Sequence, residues 1–210
     1  MKCFLLNPVI KAGSIQGNNI RNKLKYVGGN TGNIVFENAI KEQVLFEKED
    51  WLTPRKKYSD DYVYVLPCSN FLAKENKWLE PLVDIIEKNP IRIVLVGLGA
   101  QGGLDELPSN VVKKLSRKQK RFFQIIAERC VSIGVRGEFT AECLVKLGIY
   151  NSTVIGCPSV FKWLNGELPI LKTPTAEKML ITITPGKISS NLLKIGIKEN
   201  SMWVMQSADE

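Results

Sequence analysis

The chain has 210 residues, is 44% hydrophobic and 24% charged, and carries a formal net charge of +8 with no histidine. That length can hold one large core, or one domain and part of another, and the composition is globular rather than disordered. No apolar run reaches the ~20 residues of a bilayer span, and MKCFLLNPVI is interrupted by Asn7 and Pro8 too early for a signal peptide, so a cytoplasmic protein is expected.

In chain order, CFLL reads as a strand and GGNTGN (28–33) as a turn-rich loop. In IVFENAIKEQVLF, Phe36, Ile40 and Val44 recur at i, i+4 and i+8, on one helix face. WLTPRKKYSDD is a polar connection. From Asp61 a unit of apolar run, loop and amphipathic helix repeats. YVYVL (62–66) is a strand, and PLVDIIEK is a helix with Pro81 in its first turn. IRIVLV (91–96) suits a strand buried on both faces. RFFQIIAERC is a helix burying Phe122, Ile125, Ile126 and Cys130, and VSIGV (131–135) is the next strand. FTAECLVKLG is a helix closed by Gly148, and TVIG (153–156) is a further strand.

This alternation predicts an α/β fold, with a Rossmann-like parallel sheet and helices on both faces over residues 1–160. Residues 161–178 read as a linker bearing Pro and Gly. MLITIT (179–184) and SMWVMQ (201–206) then read as strands of a second α/β domain, whose start at residues 179–210 is too short for a core of its own. The alternative is that both add edge strands to the first domain.

GLGAQG (97–102) has the G-x-G-x-x-G spacing of a dinucleotide site, which requires a strand turning directly into a helix. Here GLDELPSN follows, Pro108 interrupts, and a helical pattern resumes only near Ser116. No acidic ribose ligand ends the next strand, CVSIGVR. The context argues against a dinucleotide. The glycines either relieve crowding at a strand end or let a ligand approach the backbone.

The five cysteines, Cys3, Cys68, Cys130, Cys143 and Cys157, form no C-x-x-C pair. Without histidine, a zinc site or a Cys–His nucleophile is excluded, and reduced, mostly buried thiols are expected. KKLSRKQKR (113–121) holds six basic residues and no acid. With no interleaved aromatics and no recognised nucleic-acid motif, it reads as a solvated helix entry.

Ligands of open parallel sheets bind beyond the carboxyl ends of the strands. That rule singles out Pro67, Cys68, Ser69 and Asn70; Gly97, Gly99, Ala100 and Gln101; Arg136, Gly137 and Glu138; and Cys157, Pro158 and Ser159. Arg136 lies between a strand end and a helix start, where charge and free N–H groups favour an anion. It could instead pair with Glu138 or Glu142. Cys157 suits a core better than a nucleophile, and Asn33 can simply cap its helix.

GGNTGNIVFENAI, VGLGAQ, SIGVRGEFTAECLVKLGI and VIGCPSVF occur in that order. This resembles the polysaccharide pyruvyl transferase family, whose members carry a G-N-x-G-[DN] loop before the first helix and a G-x-G-x-[QG] strand end. A V-R-[DG]-x-x-[ST] element then leads through a helix and L-x-x-x-G to a strand ending in D-P or C-P. The match spreads over most of residues 28–161, and SIGVRGEFTAECLVKLGI is its strongest part. The resemblance implies two Rossmann-like domains, similar to GT-B glycosyltransferases, with the site in the cleft between them. It implies transfer of a pyruvyl group from phosphoenolpyruvate to two hydroxyls of a surface-polysaccharide or exopolysaccharide sugar, as a cyclic ketal. The candidate substrate-binding residues are Gly32, Asn33, Gly99, Gln101, Arg136, Glu138, Cys157 and Ser159. No cofactor, metal or nucleic acid is expected, and a lipid-linked acceptor would allow peripheral membrane association.

The chain departs from the family in lacking the histidine of an R-L-H motif in the second domain, and in placing Cys157 at the D-P position. It is therefore expected to hold the acceptor-side half of an enzyme, with its acid and base unassigned. Two other readings stand beside this one. They are a GT-B glycosyltransferase using a nucleotide sugar, and a non-catalytic anion- or nucleic-acid-binding domain using residues 113–121.

Overall fold

The computed structural model describes residues 2–6, 32–50, 58–74, 76, 79–103, 105–162, 180–183 and 202–205. The chain divides into two compact units, Met1–Leu168 and Pro169–Glu210, the division falling inside the 161–178 stretch.

The first unit alternates strands and helices. In order they are β1 (Lys2–Leu6), α1 (Gly32–Gln43), β2 (Lys48–Asp50), β3 (Tyr62–Pro67), α2 (Leu79–Lys88) and β4 (Arg92–Val96). There follow α3 (Pro108–Lys113), α4 (Arg117–Arg129), β5 (Ile133–Val135), α5 (Glu138–Lys146), β6 (Ser152–Val154) and a 3-10 helix, Pro158–Phe161. Strands β2-β1-β3-β4 form one parallel sheet, with Leu5 opposite both Glu49 and Val65, and Val65 opposite Val94. Strands β5 and β6 pair in parallel, with Val135 opposite Val154. Leu98, just past β4, joins the two sets: its N–H donates to Gly134 O at 2.9 Å and its carbonyl accepts from Arg136 N at 2.8 Å. The resulting order, β2-β1-β3-β4-β5-β6, reverses direction between β1 and β3, and such a reversal opens a crevice at the carboxyl ends of the strands.

The period of two along each strand divides the core between the faces. Phe4, Leu6, Tyr64, Leu66, Ile93 and Leu95 are buried in one cluster with Ile85 and Ile86 of α2 and Phe122 and Ile126 of α4. Val65, on the opposite face, packs with Phe36 and Ile40 of α1, and Val96 lies against them. Helices thus cover both faces, as right-handed crossovers require when the chain winds first one way from β1 and then the other from β3.

Local chemistry sets the boundaries. Ser116 caps α4 through a reciprocal capping box with Gln119 (Ser116 N to Gln119 Oε1, 2.8 Å), and buried Gln119 also donates to Ala73 O at 3.0 Å. Gly148 follows α5 at φ 78°, the left-handed conformation that suits glycine past a helix end.

Three expectations are corrected, and one strand was not anticipated. Pro108 does not postpone helix; it opens α3, where its missing N–H is no loss. Val44 lies beyond α1 and is only half-buried, so the buried face is Phe36, Ala39 and Ile40. The last strand of the first unit is Ser152–Val154 rather than 153–156. Strand β2 falls in a stretch with no apolar run, and all three of its residues are charged. A short, charged strand is suited to a sheet edge, where it discourages pairing with other chains.

In the second unit, β7 (Leu180–Ile183) and β8 (Met202–Met205) pair in parallel, with Leu180 opposite Met202 and Ile183 opposite Met205.

Candidate functional site

The segment after β4 continues as extended chain instead of turning into a helix. Leu98 pairs with Val135 on one side and Ala100 with Leu72 on the other. Three of its N–H groups are committed: Leu98 N to Gly134 O at 2.9 Å, Ala100 N to Thr140 Oγ1 at 3.0 Å, and Gln101 N to Leu72 O at 3.0 Å. A pyrophosphate cradle needs such donors free and pointing at the ligand. GLGAQG therefore lacks the geometry of a dinucleotide loop.

The two glycines solve different problems. Gly97 sits at φ 71°, and a Cβ there would lie 2.5 Å from the Phe36 ring and 3.0 Å from Pro158 Cδ. Gly99 has no unusual φ, but a Cβ there would fall onto the Arg136 guanidinium, 2.5 Å from its Cζ, and onto the Ser69 carbonyl. Both positions are crowded by protein, so the crowding reading holds at each. At Gly99, crowding is what admits Arg136 to the strand-end crevice.

Arg136 is half-buried and reaches across to the end of β3, where its Nη2 donates to Ser69 O and to Asn70 Oδ1. Among the described residues it makes no ion pair, and the expected alternatives Glu138 and Glu142 are not its partners. The Arg136 backbone N–H is bound to Leu98 O at 2.8 Å. The guanidinium, with five N–H donors in all, keeps Nε–H and both hydrogens of Nη1. It remains a cation held only by neutral oxygens.

Other candidates gather around this point to different degrees. Gly32 opens α1, and Asn33 beside it accepts from Ser69 Oγ at 3.3 Å, tying α1 to the residue that holds Arg136. Asn33, Ser69, Asn70, Gly99 and Arg136 thus form one connected cluster. Gln101 is exposed and lines a cavity of about 260 Å³ with Lys74, Glu106 and Lys114. Glu138 is exposed in the first turn of α5, where a carboxylate complements the helix dipole. Cys157 packs half-buried against Phe36, Ile40 and Val65, the placement of a packing residue. Ser159 lies half-buried in the 3-10 helix and makes no hydrogen bond to the cluster among the described residues.

Cys68, directly before Ser69, is fully buried. Burial pushes its thiol far up, outweighing its bond to Val96 O and the nearby Arg136 charge, so it is held neutral. Of the basic run 113–121, Lys114 pairs with Glu106, Lys118 with Asp84 at 3.1 Å, and Arg121 with Glu87 at 2.8 Å. Half of its charges are thus answered by acids on neighbouring elements.

A family model described as polysaccharide pyruvyl transferase matches residues 14–203. The chain belongs to the polysaccharide pyruvyl transferase family. No curated protein and no solved structure matches it. Membership places it in a transferase family acting on polysaccharide. Among the described residues, no helix is long and apolar enough to cross a membrane, and no group of His, Cys, Asp or Glu side chains could hold a metal ion.

Two residues at or beside this strand-end cluster were not singled out from the sequence as parts of one device. Asn70 is visible only as one of four residues after β3, with nothing to link it to Arg136. Thr140 is buried and accepts from Ala100 N, so the V-R-G-E-F-T element reaches the GLGAQ segment twice, through Arg136 and through Thr140.

Proposed function

We propose that this chain binds the anionic donor phosphoenolpyruvate at the carboxyl end of its sheet, for transfer of the pyruvyl group to two hydroxyls of a saccharide as a cyclic ketal. One observation carries the reading: Arg136 is held at the strand ends by Ser69 O and Asn70 Oδ1, with no carboxylate among the described residues to cancel its charge. The family match supplies the chemical class. Phosphoenolpyruvate carries a phosphate and a carboxylate, so its site needs a fixed cation and N–H donors that stay in place as charge redistributes. Arg136 binds and orients the donor through Nε and Nη1, and the Asn33–Ser69 link brings the start of α1 to the same point. The acceptor is a saccharide, and a lipid-linked form would bring the protein to a membrane surface.

The test is Arg136→Ala and Arg136→Lys, each followed by a phosphoenolpyruvate binding isotherm and a thermal melt. A hydrogen bond to a charged group contributes about 1.5–3 kcal/mol, so alanine should weaken binding roughly ten- to a hundred-fold. Lysine should restore part of this, keeping the charge but not the planar donors. Normal affinity in the alanine variant refutes the reading.

A further inference from the structure

We infer that Asn70 is a positioning residue, which fixes the Arg136 guanidinium for an anionic donor without neutralising it; this rests on the function proposed above. Both groups that hold the guanidinium, Ser69 O and Asn70 Oδ1, are neutral acceptors, and both act on the single nitrogen Nη2. An arginine kept for structure alone gains most from a carboxylate, because charge-assisted bonds are roughly twice as strong as neutral ones. Glu138 and Glu142 follow on α5, yet the guanidinium bonds to an amide and a carbonyl instead. The arrangement keeps the full positive charge while removing the rotamer freedom that binding would otherwise have to restrict.

Several constraints converge on that orientation. Gly99 leaves the volume that the guanidinium fills, and the Arg136 backbone is pinned through Leu98 O. The Ser69 side chain is anchored to Asn33 at 3.3 Å. Asn70 is the one element of the clamp whose chemistry resides in a replaceable side chain and which touches Arg136 directly.

Replacing this amide by a carboxylate separates positioning from mere support. In Asn70→Asp the acceptor oxygen remains and its bond to Arg136 becomes charge-assisted, while the cation is cancelled. In Asn70→Ala the acceptor is lost and the cation remains. Both variants and Arg136→Ala are made in the full chain, and phosphoenolpyruvate affinity and melting temperature are measured for each. The inference expects Asn70→Ala to bind about ten-fold more weakly, in keeping with one hydrogen bond to a charged group. It expects Asn70→Asp to bind more weakly still, while melting at or above the temperature of the unaltered chain. It also expects Asn70→Ala to cost no further affinity once Arg136 is alanine, the signature of two residues acting as one unit.

If Asn70→Asp binds as tightly as the unaltered chain, Asn70 is only a structural acceptor and the inference is overturned. The same follows if Asn70→Ala binds normally while Arg136→Ala does not. If Arg136→Ala binds normally, or the unaltered chain does not bind phosphoenolpyruvate, the proposed function fails first and the inference with it.

Discussion

Arg136 occupies the space that a side chain on Gly99 would need. Gly99→Ala therefore forces both the guanidinium, held by Ser69 O and Asn70 Oδ1, and the Ser69 backbone carbonyl to move. Overpacking of this kind costs about 1–3 kcal/mol. The variant should melt earlier and, on the proposed function, should also lose phosphoenolpyruvate affinity, because the displaced group is the one proposed to bind the anion. A melt that is unchanged would show that Arg136 relaxes without strain.

Gly97 gives a contrasting case, in which backbone and space both object. At φ 71°, any L side chain costs roughly 1–2 kcal/mol, and the Phe36 ring 2.5 Å away adds a clash. Gly97→Ala should be more destabilising than Gly99→Ala. Adding Phe36→Leu should recover only the steric share, so the double variant should melt above Gly97→Ala and below Phe36→Leu. Complete recovery would mean that the φ value carries no cost here.

Thr140 supplies the sole described acceptor for Ala100 N–H, at 3.0 Å. Thr140→Val keeps the shape but strands that donor, and an unsatisfied buried group costs about 1–3 kcal/mol. Thr140→Ser keeps the acceptor and should retain most of the stability. Urea titration of the two variants should give unequal midpoints; equal midpoints would show that Ala100 N–H finds another partner.

The thiols should react in two groups. Cys68, Cys130 and Cys143 are buried, and burial raises all three thiols, Cys130 and Cys143 to about 11. Cys3 and Cys157 are only half-buried. Because the thiolate is the reactive form, a disulfide reagent near pH 8 should modify Cys3 and Cys157 well before Cys68, Cys130 and Cys143. The same shift has a stability sign. Between the ordinary thiol value of 9.0 and about 11, the unfolded chain sheds the Cys130 proton while the native chain keeps it, so stability falls as pH rises through that window. Cys130→Ala should flatten the fall; an unaltered slope would assign it to other groups.

The sequence made some of this legible and not the rest, for reasons of physics. Strands β3 and β4 and helices α2, α4 and α5 could be read because burial on a strand or a helix face imposes a period, as in Tyr64 and Leu66 or Phe122 and Ile126. Strand β2 could not, because an edge strand is held by backbone pairing and here consists of Lys48, Glu49 and Asp50. Helix α3 was hidden by Pro108, which breaks a helix in its interior but suits its first turn. The position of Arg136 at a strand end followed from the β-α order. Its partners did not, since Ser69 holds it through a carbonyl that every residue possesses.

The bonding of Leu98 bears on how the molecule opens. Among the described residues, the backbone hydrogen bonds joining the sheet of β4 to β5 and β6 are the two made by Leu98, to Gly134 and from Arg136. A seam so thin is a natural boundary between cooperative units, whereas β3 and β4 are bound along five residue pairs. The amide protons of Leu98 and Arg136 should thus exchange with solvent deuterium faster than those inside β3 and β4. Each such opening would carry Arg136 away from Ser69 and Asn70 together, so the lifetime of the Arg136 clamp is set by the seam and not by the guanidinium bonds alone.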